Sequence, residues 1–411
     1  MQPPTNSPQR IITNTIRMLS LVSLFTDMAS EMLYPIMPIF LKHIGFSVLL
    51  IGILEGVAEA VAGLSKSYFG KLSDATGRRL PFVQLGYTLS AISKPMMAIF
   101  IYPVWIFLSR TIDRIGKGIR TGARDAMLSD EATPQTKARV FGFHRSMDTF
   151  GAVLGPAIAL WYLYHYPNDY TTLFLLAFLP GALAIIATLL LKERKKIPAT
   201  SERQTATVPL TGAFKKVSLF AFAGYWKNSP ATYKKLVTGL LLFALFNSSD
   251  VFLLLKMKEG GLSDTAIIGV YIFYNLAYAL LAYPIGIIAD KVGFKKIFLA
   301  GLAVFAIVYA GFAFQHHLLV YLLLFILYAV YAAATEGISK AWISNMVAKN
   351  ETATAIGTFS GFQSVAALIA SSLTGFLWFI FGAMPTFLIT AGVTICVIFY
   401  LLNLKNTAIE I

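Results

Sequence analysis

A short charged turn occurs twice in the chain, 216 residues apart, and each copy lies between two long apolar segments. The first copy spans residues 70–79 and reads Gly-Lys-Leu-Ser-Asp-Ala-Thr-Gly-Arg-Arg. The second copy spans residues 286–296 and reads Gly-Ile-Ile-Ala-Asp-Lys-Val-Gly-Phe-Lys-Lys. In both copies a glycine is followed four residues later by an aspartate, then by a second glycine and a pair of bases. A charged turn duplicated between apolar segments indicates a membrane protein built from two similar halves.

The composition excludes an ordinary soluble protein. Of the 411 residues, 57% are hydrophobic and only 13% are charged, whereas about a quarter of the residues in soluble domains are charged. Apolar segments of about 20 residues cross a bilayer as helices. The apolar segments here, such as residues 236–245 and 320–330, are continuous and lack the alternation of membrane β-strands. The fold class is therefore predicted to be an all-α polytopic membrane protein.

The apolar segments predict twelve transmembrane helices arranged as two bundles of six. Residues 1–191 would form the N-terminal bundle, residues 192–234 a linker and residues 235–411 the C-terminal bundle. The predicted spans are 17–41, 48–70, 80–101, 103–123, 140–163, 170–191, 235–256, 265–288, 295–314, 317–345, 354–380 and 384–404.

The basic residues predict the orientation of these spans. Residues 192–235 hold ten Lys and Arg against two Glu, and Arg120 and Arg124 are expected in the loop after the fourth span. Because cytoplasmic loops are rich in Lys and Arg, both termini and the linker are predicted to be cytoplasmic, in a bacterial inner membrane. The net charge of +14 then reflects loop bases and not nucleic-acid binding.

Further landmarks show that the repeat extends from residue 52 to residue 142 of the first half. Each landmark glycine of the first half has a counterpart 215 to 217 residues later; the pairs are Gly52 and Gly269, Gly70 and Gly286, Gly122 and Gly337, and Gly142 and Gly357. Parallel repeats of six helices are a known transporter plan, in which the substrate binds between the halves near the middle of the membrane.

The turn at residues 70–79 resembles the loop motif between the second and third helices of the major facilitator superfamily, and the chain resembles that superfamily over nearly its whole length. The resemblance implies a conformational latch, in which the aspartate pairs near helix ends and the arginines meet acids of a neighbouring helix. The residues assigned to this latch are Gly70, Asp74, Gly77, Arg78, Arg79 and Asp290, with Arg145 and Asp148 expected near the same end of the bundle.

The fifth predicted span resembles a motif of drug:proton antiporters. Gly142, Gly151 and the pair Gly155-Pro156 match that motif, although Ala159 and Leu160 stand where the family has two glycines. Two weaker resemblances to twelve-helix efflux proteins are the segment 35–38, which reads Pro-Ile-Met-Pro, and Arg114 with Gly118. These resemblances imply export, while close helix packing remains an alternative role for the glycines.

Ionisable residues inside the predicted spans are the candidates for proton coupling, because charged groups in a membrane are rare and mark transport pathways. Asp27 lies ten residues into the first span, near the bilayer centre, with Glu31 one turn further. Burial favours the neutral form of a carboxyl group, which suits a proton carrier. Asp27, Glu31 and Asp113 are assigned to proton coupling. Arg110, Arg114, Lys94, Glu55, Glu59, Asn247, Asp250, Tyr271, Tyr274, Asn275 and Tyr278 are assigned to charge pairing or to the substrate cavity.

Some of these residues allow other interpretations. The charges of the fourth span could form a structural ion-pair network, Glu55 and Glu59 could face an outer vestibule, and the tyrosines could simply hold the bundle together. The leading functional hypothesis is a monomeric exporter of a small organic molecule by proton antiport. The alternative is an importer, or symporter, of an anionic metabolite or iron chelate, held by the basic residues.

An enzyme is not indicated by the sequence. We find no histidine pair with metal-ligand spacing, no Gly-x-Ser-x-Gly segment and no phosphate-binding glycine loop. The single cysteine, Cys396, excludes an internal disulfide and a site built from several cysteines. No cofactor and no metal are therefore expected, and the expected partners are a small-molecule substrate, protons and the lipid bilayer.

Overall fold

Helices make up nearly all of the structure. The computed structural model of the protein describes residues 11–191 and 221–404, except residues 35, 38–39, 42–43, 46–47 and 316, and it leaves out the side chains of residues 48–60, 221–223, 264–265 and 268. The first half comprises α1 Asn14–Glu31, α2 Val48–Thr76, α3 Leu80–Ile99, α4 Pro103–Glu131, α5 Lys137–His165 and α6 Tyr170–Leu189. The second half comprises α7 Ala221–Asn228, α8 Ala231–Ala244, α9 Val251–Glu259, α10 Asp264–Val292, α11 Phe294–Phe314, α12 Leu318–Asn345, α13 Thr352–Phe381 and α14 Ala383–Leu402.

The described residues contain no strand, which confirms the predicted all-α fold class. By length and composition, six segments of the described chain are apolar enough to cross a membrane: Tyr170–Leu189, Gly269–Val292, Phe294–Phe314, Leu318–Asn345, Lys349–Phe381 and Ala383–Leu402. Only the first of these lies in the first half. The other long helices of that half carry more charge, and α4 buries Arg110, Asp113 and Arg114 inside the bundle.

Two predicted spans are interrupted in the structure. The helix predicted for residues 17–41 ends at Glu31. The helix predicted for residues 235–256 is split, because α8 ends at Ala244 and α9 begins at Val251. The break contains Asn247, Ser248, Ser249 and Asp250, which are residue types that disfavour a helix interior because their short side chains can bond to nearby backbone groups. Here the hydroxyl group of Ser249 accepts a hydrogen bond from the Val251 nitrogen at 3.4 Å.

The charged ends of several helices continue beyond the apolar core. Helix α2 reaches Thr76, so only Gly77, Arg78 and Arg79 form the turn before α3, and Gly77 has a left-handed φ of 66°. Helix α4 continues to Glu131, and it therefore contains Arg120 and Arg124. The prediction that these two arginines lie in a loop is wrong, because both are buried, with 4% and 8% of their surface exposed.

The two halves meet along two pairs of helices, α5 with α10 and α2 with α13. Glycines allow the backbones to touch: a Cβ atom on Gly142 would lie 2.5 Å from the Ala282 carbonyl oxygen, and one on Gly357 would lie 2.5 Å from the Lys66 carbonyl oxygen. Gly142 and Gly357 are repeat partners of each other, and so are Gly70 and Gly286, which approach the opposite half equally closely: a Cβ atom on Gly286 would lie 2.5 Å from the Ala138 carbonyl oxygen, and one on Gly70 would lie 2.5 Å from the Ala353 carbonyl oxygen. The contacts thus follow the sequence repeat, as expected for halves related by a pseudo-twofold axis.

The aspartates of the two charged turns bind the opposite half. Asp74 accepts hydrogen bonds from the backbone nitrogen and the hydroxyl group of Thr354, at 2.7 and 2.8 Å. Asp290 accepts hydrogen bonds from the backbone nitrogens of Ala138 and Arg139, at 2.8 and 2.9 Å. Each carboxylate therefore satisfies free N–H groups in the first turn of a helix, where the helix dipole also favours negative charge.

Arg79 adds further contacts beside the first of these aspartates. Its guanidinium group lies 3.5 Å from Asp74 and 3.4 Å from Asp130 of α4, and it donates to the Lys349 carbonyl oxygen at 2.8 Å. Arg78, by contrast, is exposed. We call the end of the molecule formed by residues 76–80, 131–139, 290–296 and 345–354 the basic end. In this structure the two halves are in contact at the basic end.

A methyl group at Gly142 is expected to open the basic end. In Gly142→Ala, the added carbon would overlap the Ala282 carbonyl oxygen of the other half, and separation of the halves relieves that overlap. The readout is thiol labelling of Ser344→Cys in a Cys396→Ser background, because Ser344 is only 2% exposed and lies next to the basic end, where its carbonyl oxygen contacts Lys137. We expect labelling to be about tenfold faster, which corresponds to a change of about 1.4 kcal/mol in the free-energy difference between the closed and the open state of the basic end.

The control for this prediction is Gly392→Ala, since a Cβ atom at Gly392 would have no neighbour within 4 Å. It should label at the parent rate. Equal labelling rates in the two alanine variants would show that the Gly142 contact does not hold the halves together.

Candidate functional site

A cavity of about 320 Å³ lies between the two halves. Helices α1, α2, α4 and α5 line it on one side, and α8, α11, α12 and α13 on the other. Eight Lys and Arg and five Asp and Glu face it, so its lining carries an excess of positive charge when all these groups are ionised. Of these charged residues the second half contributes only Glu336 and Lys340.

Two carboxyl groups meet at the side of the cavity. Asp27 of α1 and Asp148 of α5 both line the cavity and interact electrostatically with each other, and two carboxyl groups so placed favour the binding of a proton to one of them. The hydroxyl group of Ser23 donates to one oxygen of Asp148 at 2.6 Å, and Arg145 lies 2.7 Å from the other. The structure thus brings together Asp27, predicted as a proton carrier, and Asp148, predicted as a latch residue.

Glycines in α5 hold this acid pair in place. A Cβ atom on Gly151 would lie 2.3 Å from the Leu24 carbonyl oxygen, and one on Gly155 would lie 2.5 Å from the Met28 carbonyl oxygen. Helix α5 therefore packs directly on the backbone of α1, which places Asp148 beside Asp27. Pro156, the last residue of the predicted motif, is buried within the continuous helix α5.

Glu31 and Lys117 lie next to the acid pair. Glu31 of α1 interacts electrostatically with Lys117 and Arg114 of α4, and Lys117 also faces Asp27. The side chain of Lys117 is exposed to the cavity. Lys117 was not among the predicted site residues, although its spacing of three residues from Arg114 places both on one face of α4.

Asp113 has a different environment from Asp27. Its carboxylate is 2.7 Å from the ammonium group of Lys94, and both side chains are buried within the first half. A carboxylate in such an ion pair is expected to remain charged, so Asp113 is better suited to orienting α4 than to carrying a proton. Arg110 and Arg114 of α4, which were predicted for charge pairing or the substrate cavity, line the cavity. Lys94 lies behind Asp113 and is not among the residues that line the cavity.

The cavity is closed towards the basic end by ion pairs that join the two halves. Asp125 of α4 is fully buried and lies 2.7 Å from Lys340 of α12. Arg145 forms an ion pair with Glu336 of α12 and donates to the hydroxyl group of Tyr278 at 2.8 Å. We call the four residues Asp125, Arg145, Glu336 and Lys340 the cavity floor. Sequence reasoning did not assign Asp125, Glu336 or Lys340 to the site.

His144 is a second residue that the sequence analysis left out of the site. It faces the cavity beside Asp148 and Arg124, and only 4% of its surface is exposed. Neither ring nitrogen makes a hydrogen bond with the described residues. An imidazole placed in this way is available to a bound substrate or water molecule.

Most of the site residues predicted in the second half do not line the cavity. Asn247 lines the cavity and donates to the Tyr331 hydroxyl group at 2.9 Å. Asp250 accepts a hydrogen bond from Tyr328 at 2.7 Å, and Tyr274 packs on the same ring with a centroid distance of 5.2 Å. Asp250, Tyr271, Tyr274, Asn275 and Tyr278 are not among the residues that line the cavity.

These residues instead form a packed interface. The face that carries the tyrosines of α10 is turned towards α12 and α5, where aromatic rings fill the space between helices. The side chains of Glu55 and Glu59, and residues Pro35 and Pro38 of the predicted efflux segment, lie outside the described part of the structure.

Comparison with known proteins identifies the family. The family model of the Major Facilitator Superfamily matches residues 19–273 and 251–409. The chain belongs to this superfamily. It is 31% identical to an uncharacterized MFS-type transporter of Methanocaldococcus jannaschii over 91% of the chain and 90% of that relative.

Two drug-resistance proteins match a smaller part of the transporter. It is 28% identical to the multidrug resistance protein MdtH of Cronobacter sakazakii over 32% of each chain. It is 26% identical to the quinolone resistance protein NorA of Staphylococcus aureus over 30% of the chain and 32% of that relative.

Solved structures share the fold of the transporter. The human organic anion transporter MFSD10 superposes with a TM-score of 0.76 at 17% identity, covering 97% of this chain and 100% of that one. FucP, a superfamily transporter in the outward conformation, superposes with a TM-score of 0.73 at 12% identity and the same coverage.

Family and fold together confirm several predictions. The protein is an integral membrane transporter that binds a small-molecule substrate within the membrane, and it is not an enzyme. The major facilitator fold with two halves is also confirmed.

Proposed function

We propose that this transporter exports a small organic molecule from the cytoplasm in exchange for protons, by alternating access of the central cavity. The observation that carries the proposal is the placement of two interacting carboxyl groups, Asp27 and Asp148, on the cavity wall. A carboxyl pair that faces the cavity can exchange a proton for a substrate that contacts it.

Arg145 connects this pair to the movement of the two halves. It contacts Asp148 of its own helix and Glu336 of the opposite half. When the acid pair loses its proton, it attracts Arg145 more strongly and competes with Glu336 for it. Proton binding and contact between the halves are then linked through one guanidinium group.

Two further observations support export. The matches to MdtH and NorA, although partial, are to proteins named for drug resistance. The glycines of α5 that resemble the antiporter motif hold Asp148 against α1. The base-rich loops support a cytoplasmic position of the basic end in a bacterium, and with that orientation the cavity in this structure is closed towards the cytoplasm. We propose that the protein acts as a monomer in the inner membrane.

A second candidate function is symport of an anion with protons. The excess of Lys and Arg in the cavity favours it, and Lys117 in particular faces both Asp27 and Glu31. An anion bound to Lys117 would weaken its attraction to these carboxylates, so that they would bind protons more readily. Anion and proton would then travel together.

These two functions differ in whether the protein releases or takes up protons when it binds its substrate. Purified protein in weakly buffered detergent solution, with a pH indicator, would be mixed with quinolones, lipophilic cations and aromatic carboxylates. Antiport requires proton release on binding, and symport requires proton uptake. Binding without any proton change would contradict both mechanisms.

A further inference from the structure

Arg120 of α4 is a buried base of the cavity wall whose contacts do not neutralise its charge. Only 4% of its surface is exposed, and it is among the residues that line the cavity. Its Nη1 atom donates to the hydroxyl group of Ser90 at 2.5 Å, and its guanidinium carbon lies 4.5 Å from the centre of the Tyr87 ring. Neither the hydroxyl group nor the ring carries a full negative charge. The guanidinium group is therefore held in place by neutral partners.

The neighbouring base Arg124 shows what Arg120 lacks. Arg124 donates to the Asp125 carboxylate through Nε and Nη2, at 3.0 and 2.8 Å. The same two atoms of Arg120 make no hydrogen bond with the residues that the structure describes, and Nε is fully buried. No carboxylate of the described residues forms an ion pair with Arg120. An unpaired buried ion is strongly destabilising, so the arrangement is typical of a residue whose charged partner is a ligand.

The bases next to Arg120 favour an anion as that ligand. Lys117 and Arg124 lie three residues before it and four residues after it, so the three side chains share one face of α4. All three line the cavity, and Lys117 is exposed to it. An anion at Arg120 would also be attracted by Lys117, whereas a cation there would be repelled by both.

The second half provides a wall of a different kind. Its lining residues include the aromatic side chains of Phe243, Phe298, Tyr331 and Phe359. Among the described lining residues of this half, charge is confined to the cavity floor. Aromatic rings bind a flat apolar ligand by stacking and by edge contacts. The cavity thus offers a basic wall on α4 and an aromatic wall on the second half, and its volume of about 320 Å³ suits a small ring system.

We propose that the substrate is an aromatic organic anion, whose carboxylate is bound by Arg120 and whose rings lie against the aromatic wall of the second half. A guanidinium group suits this role because two of its donors match the two oxygens of a carboxylate. The inference rests on the transport of a small organic molecule that the proposed function describes. It does not depend on the direction of proton movement.

Binding of matched ligands tests the substrate class. The purified transporter in detergent micelles would be titrated with naphthoate at fixed pH by isothermal titration calorimetry. Three analogues each change one property: naphthalene methanol has no charge, naphthyl methylamine has the opposite charge, and decalin carboxylate has saturated rings. We expect the alcohol and the amine to bind about 30-fold more weakly than naphthoate, because they lose a hydrogen-bonded charge pair. We expect the saturated acid to bind about fivefold more weakly.

Two results in the parent protein would overturn the proposal. If the alcohol or the amine bound as tightly as naphthoate, the substrate site would not select an anion. If decalin carboxylate bound as tightly as naphthoate, the second half would not select aromatic rings. Both results are independent of whether any variant folds.

Replacement of Arg120 by glutamine tests the role of this residue. Arg120→Gln should weaken naphthoate binding about 30-fold and leave binding of the alcohol within about twofold, so the preference for the anion disappears. The matched control is Arg17→Gln, because Arg17 is an exposed arginine of α1 that does not line the cavity. It should keep the parent preference. A purely structural role of Arg120 would weaken both ligands together, so an equal loss for acid and alcohol, or an unchanged preference, would overturn the assignment.

Size-exclusion chromatography and thermal unfolding check that each variant is folded. If Arg120→Gln is not folded, Arg120→Met takes its place with the same ligands and the same expected loss, because an unbranched apolar side chain can remain packed on the Tyr87 ring. The proposed function fails separately from this inference. Tight binding of the amine with proton release would overturn the inference and support proton antiport. Preferred binding of naphthoate without any proton change would support the inference and contradict proton coupling.

Discussion

Replacing Asp27 by asparagine is expected to abolish proton-driven transport while exchange of substrate across the membrane continues. Asparagine keeps the size of Asp27, but it has no proton that it can bind and release. We expect substrate movement driven by a pH gradient in proteoliposomes to fall by about 100-fold, the range observed when an essential acid–base group is lost. Exchange of labelled for unlabelled substrate, which needs no net proton movement, should remain within about threefold of the parent rate.

Asp250→Asn is the matched control for this prediction. Asp250 is also an aspartate within the bundle, but it bonds to Tyr328 and does not line the cavity. An asparagine can still accept that hydrogen bond, so gradient-driven transport should be nearly unchanged. If Asp250→Asn were the variant that lost coupling and Asp27→Asn were active, the proton site would lie in the second half and the proposal would be wrong.

Replacing Gly151 by alanine is expected to destabilise the first half and to disrupt the acid pair. The new methyl carbon would lie 2.3 Å from the Leu24 carbonyl oxygen and 2.9 Å from the Met28 nitrogen, which belong to the rigid backbone of α1. Overpacking of this kind costs about 3 kcal/mol. Unlike the contact at Gly142, this one lies within one half, so movement of the halves cannot relieve it.

Equilibrium unfolding in mixed micelles would measure the change in free energy of unfolding. Gly392→Ala serves as the control, since its methyl group would enter open space in another helix, and its stability should stay within about 1 kcal/mol of the parent. Equal stability of the two variants would mean that α5 and α1 can move apart without loss. Proton-driven transport by Gly151→Ala should also fall, because the clash moves Asp148 away from Asp27.

The sequence could predict the architecture because its signals are local or periodic. The duplicated turn, the continuous apolar segments and the matched glycines identified two halves of the same plan. These signals depend on the hydrocarbon core, which requires long apolar helices. The same reasoning located Asp74 and Asp290 near helix ends, although it could not show that each aspartate binds the first turn of a helix in the opposite half.

The candidate site was predicted only in part, because side-chain partners depend on contacts between distant helices. Asp27 and Glu31 were selected by their depth in the first span, and both line the cavity. The tyrosines of α10 share a face, but a shared face does not reveal whether the neighbour is a cavity or another helix. Here the neighbours are the helices α12 and α5. Arg120 and Arg124 were assigned to a loop because charge was taken as the sign of a helix end.

The sequence by itself determined the two-fold repeat, the all-helical membrane fold and the concentration of charge in the first half, since composition and spacing follow directly from the thickness and polarity of a bilayer. Only the tertiary structure decided which charges meet. It placed Asp148 beside Asp27, Lys94 beside Asp113 and Asp125 beside Lys340. The physical reason is that an ion pair or a shared proton requires atoms within about 3 Å, and helix packing sets such distances between residues far apart in the chain.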